Sequence, residues 1–404
     1  MSLDRCRACG GTTFFPVLDL GVTPLANAIV PEADAPQERF PLNVVGCHGC
    51  SLVQLTDLVS PERLFRTYTY FSSNSDEMVA HARTLVTRLV RERELGAGSR
   101  VFEIASNDGY LLQHYVAAGV PVLGIEPATN VAEVARHRGI DTISEFFSES
   151  LAAALAAEGR TADVVHANNV MAHVPDIRGF VAGLRHMLKP GGVAVIEAPY
   201  VRDLVERCEF DTVYHEHVFY FSLTALVRLC AAEGLAVTDV ERLNIHGGSL
   251  RLFITHGGMP SVRVQTLLDE EQALGIRSPE YYATFAERVD ALRDTVVTLL
   301  RHLKAGGATV AAYGAAAKGS TLLNYFGIDA TTLDFVADRS IHKQGHCMPG
   351  VGVPIVDARE LVGRRPDYTL LLVWNFAHEV LRQQDAYRRG GGRFIVPIPH
   401  VQVL

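Results

Sequence analysis

The sequence predicts an α/β protein with a small cysteine-rich module at its N-terminus and two Rossmann-like domains after it. Two observations predict this organisation. Four cysteines form two C-x2-C pairs before residue 51, and strand-like and helix-like segments then alternate in two separate stretches. Such alternation is typical of parallel sheets covered by helices. A chain of 404 residues is long enough for three parts.

Composition and charge exclude several classes of function. The net charge of −8 argues against nucleic acids and anionic membranes as partners, since both usually demand a basic surface. The sequence has no apolar run of about 18 residues that would predict a transmembrane helix. The polar start "MSLDRCRACGG" lacks the apolar core of a signal peptide. We therefore expect a cytoplasmic protein, in which paired cysteines indicate metal more than disulfide.

The N-terminal module, residues 1–66, is predicted to bind zinc. "CRAC" supplies Cys6 and Cys9, and "CHGC" supplies Cys47 and Cys50. Zinc prefers four tetrahedral ligands, and two short knuckles supply two thiolates each. Four thiolates leave no open position for water, so the predicted role of the metal is structural.

The middle segment, residues 67–257, has the pattern of a nucleotide-binding domain. "RVFEIAS" predicts a strand, "NDGY" a turn and "LLQHYVAAG" a helix, and "PVLGIEP" predicts a second strand that ends at Glu126. An acid at that position suits the hydroxyls of a ribose. The turn holds the single glycine Gly109 rather than G-x-G-x-x-G, so it gives little support to a pyrophosphate cradle. An S-adenosylmethionine (SAM) site needs only a close backbone approach and an acid.

Two later stretches also favour SAM. "LKPGG" before a strand, and "LAVTDVERLNIHGGSLRLFITHG", which predicts two strands that could close the sheet as an antiparallel pair, resemble class I SAM-dependent methyltransferases. The alternative is a generic Rossmann-like domain that binds another nucleotide.

"VYHEHVFYFS", residues 213–222, lies near the carboxyl edge of this predicted sheet. If it is extended, Tyr214 and Glu216 share one side and His215 and His217 the other. A tighter turn would bring Tyr214 and His217 together, and the sequence does not choose between these two conformations. A metal site at H-x-H spacing and a purely structural polar cluster are the alternatives to an acid–base site.

The C-terminal segment, residues 258–404, predicts a second parallel sheet. "ATVAAYGAAAKGSTLLNYFGI" is a strand, a turn and a helix, and a helix N-terminus after a strand is a natural phosphate site. Its spacing matches neither the Walker A loop nor the dinucleotide fingerprint. For Lys318, the alternative to a phosphate contact is a solvated position on the surface.

Several motifs, in this order along nearly the whole chain, resemble the zinc-containing sugar C-methyltransferases that act on thymidine-diphosphate (TDP) ketodeoxysugars in antibiotic pathways. They are the two cysteine pairs, "TYTYFSSNSDEM", "FEIASNDGYLL", "NNVMAHV", "YHEHVFYFS" and "YGAAAKGSTLLNYFGI". The resemblance implies a class I methyltransferase fold for the middle domain and a C-terminal domain that helps to hold the nucleotide sugar.

The resemblance also implies roles for individual residues. Forming a C–C bond from SAM needs a carbon nucleophile, and a histidine is the usual base for removing a proton beside a ketone. His217 is the expected base. The other expected catalytic residues are Tyr214, Glu216, His173 and Tyr70. The expected SAM-binding residues are Glu103, Ala105, Asn107, Gly109, Tyr110, Leu111, Glu126 and Asn168. The expected substrate-binding residues are Ser73, Asn74, Asn169, Lys318, Gly319, Ser320, Asn324 and Lys343.

The predicted function is thus methylation at C3 of a TDP-4-ketodeoxysugar, by a monomer or small homo-oligomer with SAM and structural Zn²⁺. The alternatives are an NAD(P)H-dependent sugar-nucleotide ketoreductase, a bifunctional methyltransferase–ketoreductase that would also use NADPH, and a non-enzymatic zinc scaffold. The missing G-x-G-x-x-G weighs against hydride transfer. The scaffold alternative leaves "YHEH" and "GAAAKGS" unexplained.

Overall fold

The computed structural model describes residues 3–66, 71–245 and 247–404. Within these residues the strands are β1 (Phe14–Pro24), β2 (Arg39–Cys47), β3 (Val53–Leu55), β4 (Val101–Ile104), β5 (Val122–Ile125), β6 (Thr142–Ile143), β7 (Ala162–Asn168), β8 (Leu188–Pro199), β9 (Phe219–Tyr220), β10 (Ala236–Leu243), β11 (Ser249–Thr255), β12 (Val310–Tyr313), β13 (Val336–Asp338), β14 (Ile355–Asp357), β15 (Tyr368–Leu371), β16 (Arg393–Val396) and β17 (Gln402–Val403). The α-helices are α1 (Pro61–Phe65), α2 (Asp76–Glu92), α3 (Leu112–Ala117), α4 (Thr129–His137), α5 (Glu149–Ala157), α6 (Ile177–Met187), α7 (Val201–Glu206), α8 (Leu223–Ala232), α9 (Val262–Leu274), α10 (Pro279–Tyr282), α11 (Phe285–Ala305), α12 (Ala317–Phe326), α13 (Glu360–Arg364), α14 (Ala377–Gln383) and α15 (Asp385–Arg389). Short 3₁₀ turns lie at Ser72–Asn74, Met171–His173, Phe210–Thr212 and Trp374–Phe376.

The first sheet is antiparallel, with strand order β1-β2-β3-β9. Strand β9 comes from the middle of the chain and pairs Tyr220 with Val53. It begins two residues after His217 in the sequence, so the N-terminal sheet holds the end of the "YHEH" stretch in place.

The central sheet has the order β10-β11-β8-β7-β4-β5-β6. Strands β4 to β8 are parallel, and β11 pairs antiparallel with both β8 and β10, which confirms the predicted closing pair. The "LKPGG" stretch, which predicts a turn between a helix and the following strand, differs in detail. The strand begins directly after α6, and the segment lies inside β8, where Gly191 takes a φ of +76° beside a register shift against β7. This left-handed conformation favours glycine, so a bulge replaces the turn.

The C-terminal sheet has the order β14-β13-β12-β15-β16-β17, parallel except for β17. The predicted α/β architecture, with a cysteine-rich module and two Rossmann-like sheets, is therefore confirmed. Helix α12 begins at Ala317, so Lys318, Gly319 and Ser320 lie within the helix and not in the turn before it.

The N-terminal module packs against both larger parts of the chain. Phe15 and Val44 share a hydrophobic core with residues of α11, α12 and β12. The buried thiols Cys6, Cys47 and Cys50 lie instead in the core of the central sheet. No helix in the described ranges is long and apolar enough to cross a membrane.

Candidate active site

A cavity of about 560 Å³ lies where the carboxyl ends of the two parallel sheets face each other. Residues that directly follow strands form much of its wall, among them Ala105, Glu126 and Asn169 from the central sheet. In doubly wound sheets this edge is where ligands bind. The predicted residues that line the cavity are Ala105, Asn107, Tyr110, Glu126, Asn168, Asn169, His173, Tyr214, His217, Lys318 and Lys343.

The other predicted residues lie elsewhere. Among the described residues, those that do not line the cavity are Glu103, Gly109, Leu111, Ser73, Asn74, Glu216, Gly319, Ser320 and Asn324. Tyr70 lies outside the described residues.

The turn after β4 is tied to the end of β5 by one carboxylate. Glu126 accepts a hydrogen bond from the backbone N–H of Asn107 and another from that of Ala128, each at 2.9 Å. Burial raises the pKa of Glu126, and these two amides oppose that rise because they favour the charged form. Ala105 and Asn107 have positive φ angles of +52° and +50°, a strained conformation that often marks a ligand site.

This half of the cavity fits SAM. Glu126 offers acceptors to ribose hydroxyls, while Phe146, Phe147 and Pro127 supply an apolar wall for the adenine. The Oδ1 atom of Asn168 is buried, and no group in the described residues forms a hydrogen bond with it. This acceptor lies inside the cavity wall, so Asn168 contributes to the lining through its other atoms.

Three predicted SAM residues act behind the cavity wall instead. Glu103 is completely buried, and burial raises its pKa well above the usual value. Gly109 has a φ of +80°, a left-handed conformation that favours glycine, and the terminal methyl of Ile140 packs where a Cβ atom would lie. Leu111 is fully buried at the start of α3. These residues shape the turn that faces the ligand.

The predicted substrate loop at Ser73 and Asn74 is fastened to the same turn. Ser73 Oγ donates to Asp108 and accepts a hydrogen bond of 3.2 Å from Arg138. The backbone N–H of Ser72 donates to Asn107 Oδ1 at 2.8 Å. Ser72, which the sequence analysis did not select, is the serine of this loop that lines the cavity.

The "YHEH" stretch forms the tighter of the two conformations that the sequence allowed. The backbone N–H of His217 donates to the carbonyl of Tyr214 at 2.9 Å, which closes a turn. The Tyr214 hydroxyl then lies 2.9 Å from His217 Nε2, and His217 Nδ1 lies 2.8 Å from the carbonyl oxygen of Thr212. A carbonyl can only accept, so Nδ1 carries the proton and Nε2 is the acceptor. Neutral His217 is therefore held in the tautomer that a base requires.

The neighbours of His217 complete this wall. The ring of His173 meets that of His217 edge-on, with centroids 4.8 Å apart. Burial lowers the pKa of His173 to about 4, so it is neutral near pH 7. Its Nδ1 atom is buried, and no described group bonds to it. Glu216 accepts a hydrogen bond of 2.6 Å from Asn27, which lines the cavity, so Glu216 acts on the site through Asn27.

The positions of His215 and His217 argue against a metal site formed by this pair. His215 Nε2 lies 3.3 Å and 3.2 Å from the carbonyl oxygens of Phe40 and Pro41, on a different set of partners from His217. Within the part of the chain that the structure describes, the four cysteines form the one cluster of potential metal ligands.

Two lysines of the C-terminal domain face the cavity. Lys318 Nζ lies 4.5 Å from the centre of the Trp374 ring, and Lys343 Nζ donates to the carbonyl of Ala315 at 2.7 Å. Lys318 is thus not a freely solvated surface lysine. The remaining predicted diphosphate residues have structural contacts. A Cβ on Gly319 would lie 2.8 Å from Leu372 Cβ, and Asn324 donates to the carbonyls of Ser320 and Pro349.

Sequence reasoning missed Asn27, Thr212 and Trp374. Thr212 acts through its backbone carbonyl, and Asn27 lies outside any motif, so neither gives a sequence signal. Trp374 is the single tryptophan of the chain and follows "YTLLLV", an apolar stretch typical of a strand. These two features could have identified it.

The four cysteines form a centre that fits zinc. Cys6 Sγ and Cys50 Sγ are 3.6 Å apart, as are Cys9 Sγ and Cys47 Sγ, and all four sulfurs lie within 4.8 Å of one another. Tetrahedral zinc with bonds of about 2.3 Å would separate its sulfur ligands by about 3.8 Å. The Gln54 side chain donates to Cys6 Sγ at 3.2 Å, as expected for support of a thiolate ligand.

We expect Glu126→Ala to weaken SAM binding by about 10- to 100-fold, since it removes a charged acceptor and releases the two amides that shape the turn. Titration calorimetry of SAM with the purified protein measures this change. Glu133→Ala, at an exposed position in the neighbouring helix α4, is the matched control and should bind SAM as the wild type does. Equal affinities for the two variants would contradict the assignment of Glu126.

Three family descriptions match successive segments of the chain. Residues 6–65 match a "Putative zinc binding domain", residues 77–240 a "Methyltransferase domain" and residues 244–399 a "C-methyltransferase C-terminal domain". These matches support zinc and a methyl donor and give no support to NADPH.

Individual proteins agree with these matches. The C-methyltransferase NovU of Streptomyces niveus is 38% identical over 409 residues, covering 100% of this chain and 97% of that protein. The ubiquinone biosynthesis O-methyltransferase of Burkholderia thailandensis is 27% identical over 166 residues, covering 37% of this chain and 69% of that protein. The solved magnesium protoporphyrin IX methyltransferase of Synechocystis PCC 6803 with bound SAH has a TM-score of 0.37 at 14% identity, over 44% of this chain and 83% of that chain. So distant a structural likeness carries no argument about function.

The full-length relative and the three domain matches agree in order and extent with the cysteine centre, the central sheet and the C-terminal sheet. The chain belongs to the family of zinc-binding, SAM-dependent C-methyltransferases.

Proposed function

We propose that this enzyme methylates C3 of a TDP-4-ketodeoxysugar, with the Tyr214–His217 pair as the proton acceptor. The observation that carries the proposal is the fixed tautomer of His217, whose Nε2 acceptor faces the Tyr214 hydroxyl in the wall of a cavity that also fits SAM. Methyl transfer to carbon needs a carbon nucleophile, unlike transfer to an oxygen or nitrogen that already carries a lone pair.

The residues divide between the two ligands. Glu126, Asn168 and the turn at residues 105–110 would hold SAM, which supplies an electrophilic methyl group on a sulfonium sulfur. Lys318, on α12, and Lys343, in the segment after β13, would face the diphosphate of the sugar nucleotide. The proposed base lies on the connection between β8 and β10 of the central sheet, and its side chain lines the same cavity as the residues of both halves.

The proton transfer follows from the hydrogen bonds. The C3 proton leaves the sugar toward the Tyr214–His217 pair and ends on His217 Nε2, and the C–H electrons form the enolate of the neighbouring ketone. The Thr212 carbonyl accepts from Nδ1–H throughout, so it stabilises the imidazolium that results. The enolate carbon would be the nucleophile for the methyl group that SAM would supply from its place beside Glu126 and the turn at residues 105–110. The neutral ring of His173, which lines the cavity against the ring of His217, would help to shape the pocket for the sugar.

Methyl transfer to sugar nucleotides tests the proposal. The purified, zinc-loaded protein is incubated with SAM and TDP-4-ketodeoxysugars that carry either a 3-amino or a 3-hydroxy group. We expect mass spectrometry to show the gain of one methyl group on at least one of these sugars and, with methyl-labelled SAM, the label on C3. No methyl gain on sugars of either class would overturn the proposed substrate.

A further inference from the structure

Lys318 is a cavity residue that also interacts electrostatically with two buried carboxylates. It lines the cavity, and its positive charge lowers the pKa values of Asp211 and Glu209 against the stronger effect of burial, which raises them to about 6 and about 7. The cation can therefore interact with these carboxylates or with an anion in the cavity.

Trp374 lies against both Asp211 and Lys318. Its indole N–H donates to Asp211 Oδ2 at 2.7 Å, and its ring face lies 4.5 Å from Lys318 Nζ. Asp211 is fully buried, and its Oδ1 has no hydrogen-bond partner in the described residues. The indole thus stabilises the carboxylate with its edge and attracts the ammonium group with its face.

Loss of the indole N–H would change whether Lys318 interacts with Asp211 or with an anion in the cavity. A buried carboxylate without a hydrogen-bond partner costs free energy. Lys318 is a cation whose charge acts on Asp211, so it could become the new partner. A direct ion pair with Asp211 would draw the ammonium group away from the cavity. Trp374 prevents this because it satisfies Asp211 with a neutral donor.

We propose that Trp374 is a positioning residue for the anion site: it keeps Lys318 directed toward the cavity and available to the diphosphate of the substrate. The inference rests on the proposed function, since it takes a nucleoside diphosphate sugar as the ligand. Asp211 is part of the same arrangement, because it accepts the hydrogen bond that fixes the orientation of the indole. Helix α12, which carries Lys318, also packs against the 3₁₀ turn of Asp211 through a 3.2 Å bond from Thr321 Oγ1 to the Val213 carbonyl.

Calorimetric titration of TDP into the full-length, zinc-loaded protein tests the inference. We expect Trp374→Phe to weaken TDP binding by about tenfold, because phenylalanine keeps an aromatic face but lacks the N–H. Lys318→Met should weaken it by at least the same factor, and adding Trp374→Phe to Lys318→Met should cause no further loss. In steady-state assays Trp374→Phe should raise KM for the sugar nucleotide by the same factor and leave kcat nearly unchanged.

A second substitution that restores TDP affinity distinguishes a positioning role of Trp374 from a merely structural one. Adding Asp211→Asn to Trp374→Phe removes the competing charge, so TDP affinity should return to within about threefold of the wild type. Asp211→Asn alone keeps an acceptor for the indole and should not weaken TDP binding. Because Trp374 is the single tryptophan, its fluorescence should also change when TDP draws Lys318 away, and should not change in Lys318→Met.

Unchanged TDP affinity in Trp374→Phe would overturn the inference and leave the proposed substrate intact. An equal loss with and without Lys318, or a lack of rescue by Asp211→Asn, would show that Trp374 acts through pocket shape, which also overturns it. If the wild-type protein does not bind TDP, the nucleotide part of the proposed function fails together with the inference. Thermal unfolding midpoints and zinc content of each variant show that the comparison is between folded proteins.

Discussion

His217→Ala should abolish exchange of the C3 proton and lower the rate of methyl transfer by about 10²- to 10⁴-fold, the usual contribution of a general base. The Nε2 acceptor is lost, and with it the partner of the Tyr214 hydroxyl. The measurement is deuterium incorporation at C3 of a TDP-4-ketodeoxysugar in heavy water, followed by mass spectrometry with and without SAM. Exchange without SAM isolates proton removal from methyl transfer.

His215→Gln is the matched control for this experiment. His215 is buried and lies two residues before His217 in the sequence. Its side chain contacts the carbonyls of Phe40 and Pro41 and does not line the cavity. We expect this variant to exchange the C3 proton at a rate near that of the wild type. If exchange and methylation persist in His217→Ala, the base lies elsewhere and Tyr214 is the next residue to change.

Loss of one zinc ligand should have the largest effect on stability. Cys47 is completely buried, and a structural zinc contributes about 10–16 kcal/mol of apparent binding free energy in small zinc domains. The net stability of a typical domain is only about 5–15 kcal/mol. We therefore expect Cys47→Ser, or removal of zinc by a strong chelator, to unfold the N-terminal module. Zinc content by atomic emission and the thermal unfolding midpoint measure the effect.

Cys230→Ala provides the control for the cysteine experiment. Cys230 is as buried as Cys47 but lies outside the four-cysteine cluster. It should retain one zinc per chain and lose only about 1–2 kcal/mol of stability, because a small buried side chain is shortened. Full stability of the Cys47→Ser variant, or of the chelated protein, would show that the metal does not support the fold.

The half of the site formed by short stretches of sequence could be predicted well. Asn107 and Glu126 were selected from a turn and the end of the next strand, and 19 residues separate them where they bond. Local strand and turn patterns carry that information, because parallel strands place their carboxyl ends at one edge. The cysteine centre was predictable for the same reason, since each knuckle is local.

The conformation of "YHEH" could not be predicted because a backbone atom selects it. The sequence allowed an extended strand or a turn, and the Thr212 carbonyl that holds His217 Nδ1 is present whatever residue stands at position 212. The C-terminal half of the site depends on partners distant in sequence. Trp374 and Asp211 are separated by 163 residues, and Gly319 meets Leu372 across the sheet. Local sequence patterns do not predict such contacts. Gly319 and Ser320 were expected to bind the substrate because of the family resemblance together with the strand-to-helix pattern.

The pairing of β3 with β9 has a consequence for recombining parts of related enzymes. The first sheet is completed by Phe219–Tyr220, which belong to the connection between β8 and β10 of the central sheet. A chimera that exchanges only residues 1–66 would therefore join an edge strand from one parent to a sheet from the other, two residues after the turn that contains Tyr214 and His217. We therefore expect that a functional exchange of the metal module must include residues 213–222 from the same parent. The segments to be exchanged together are then separated in the coding sequence.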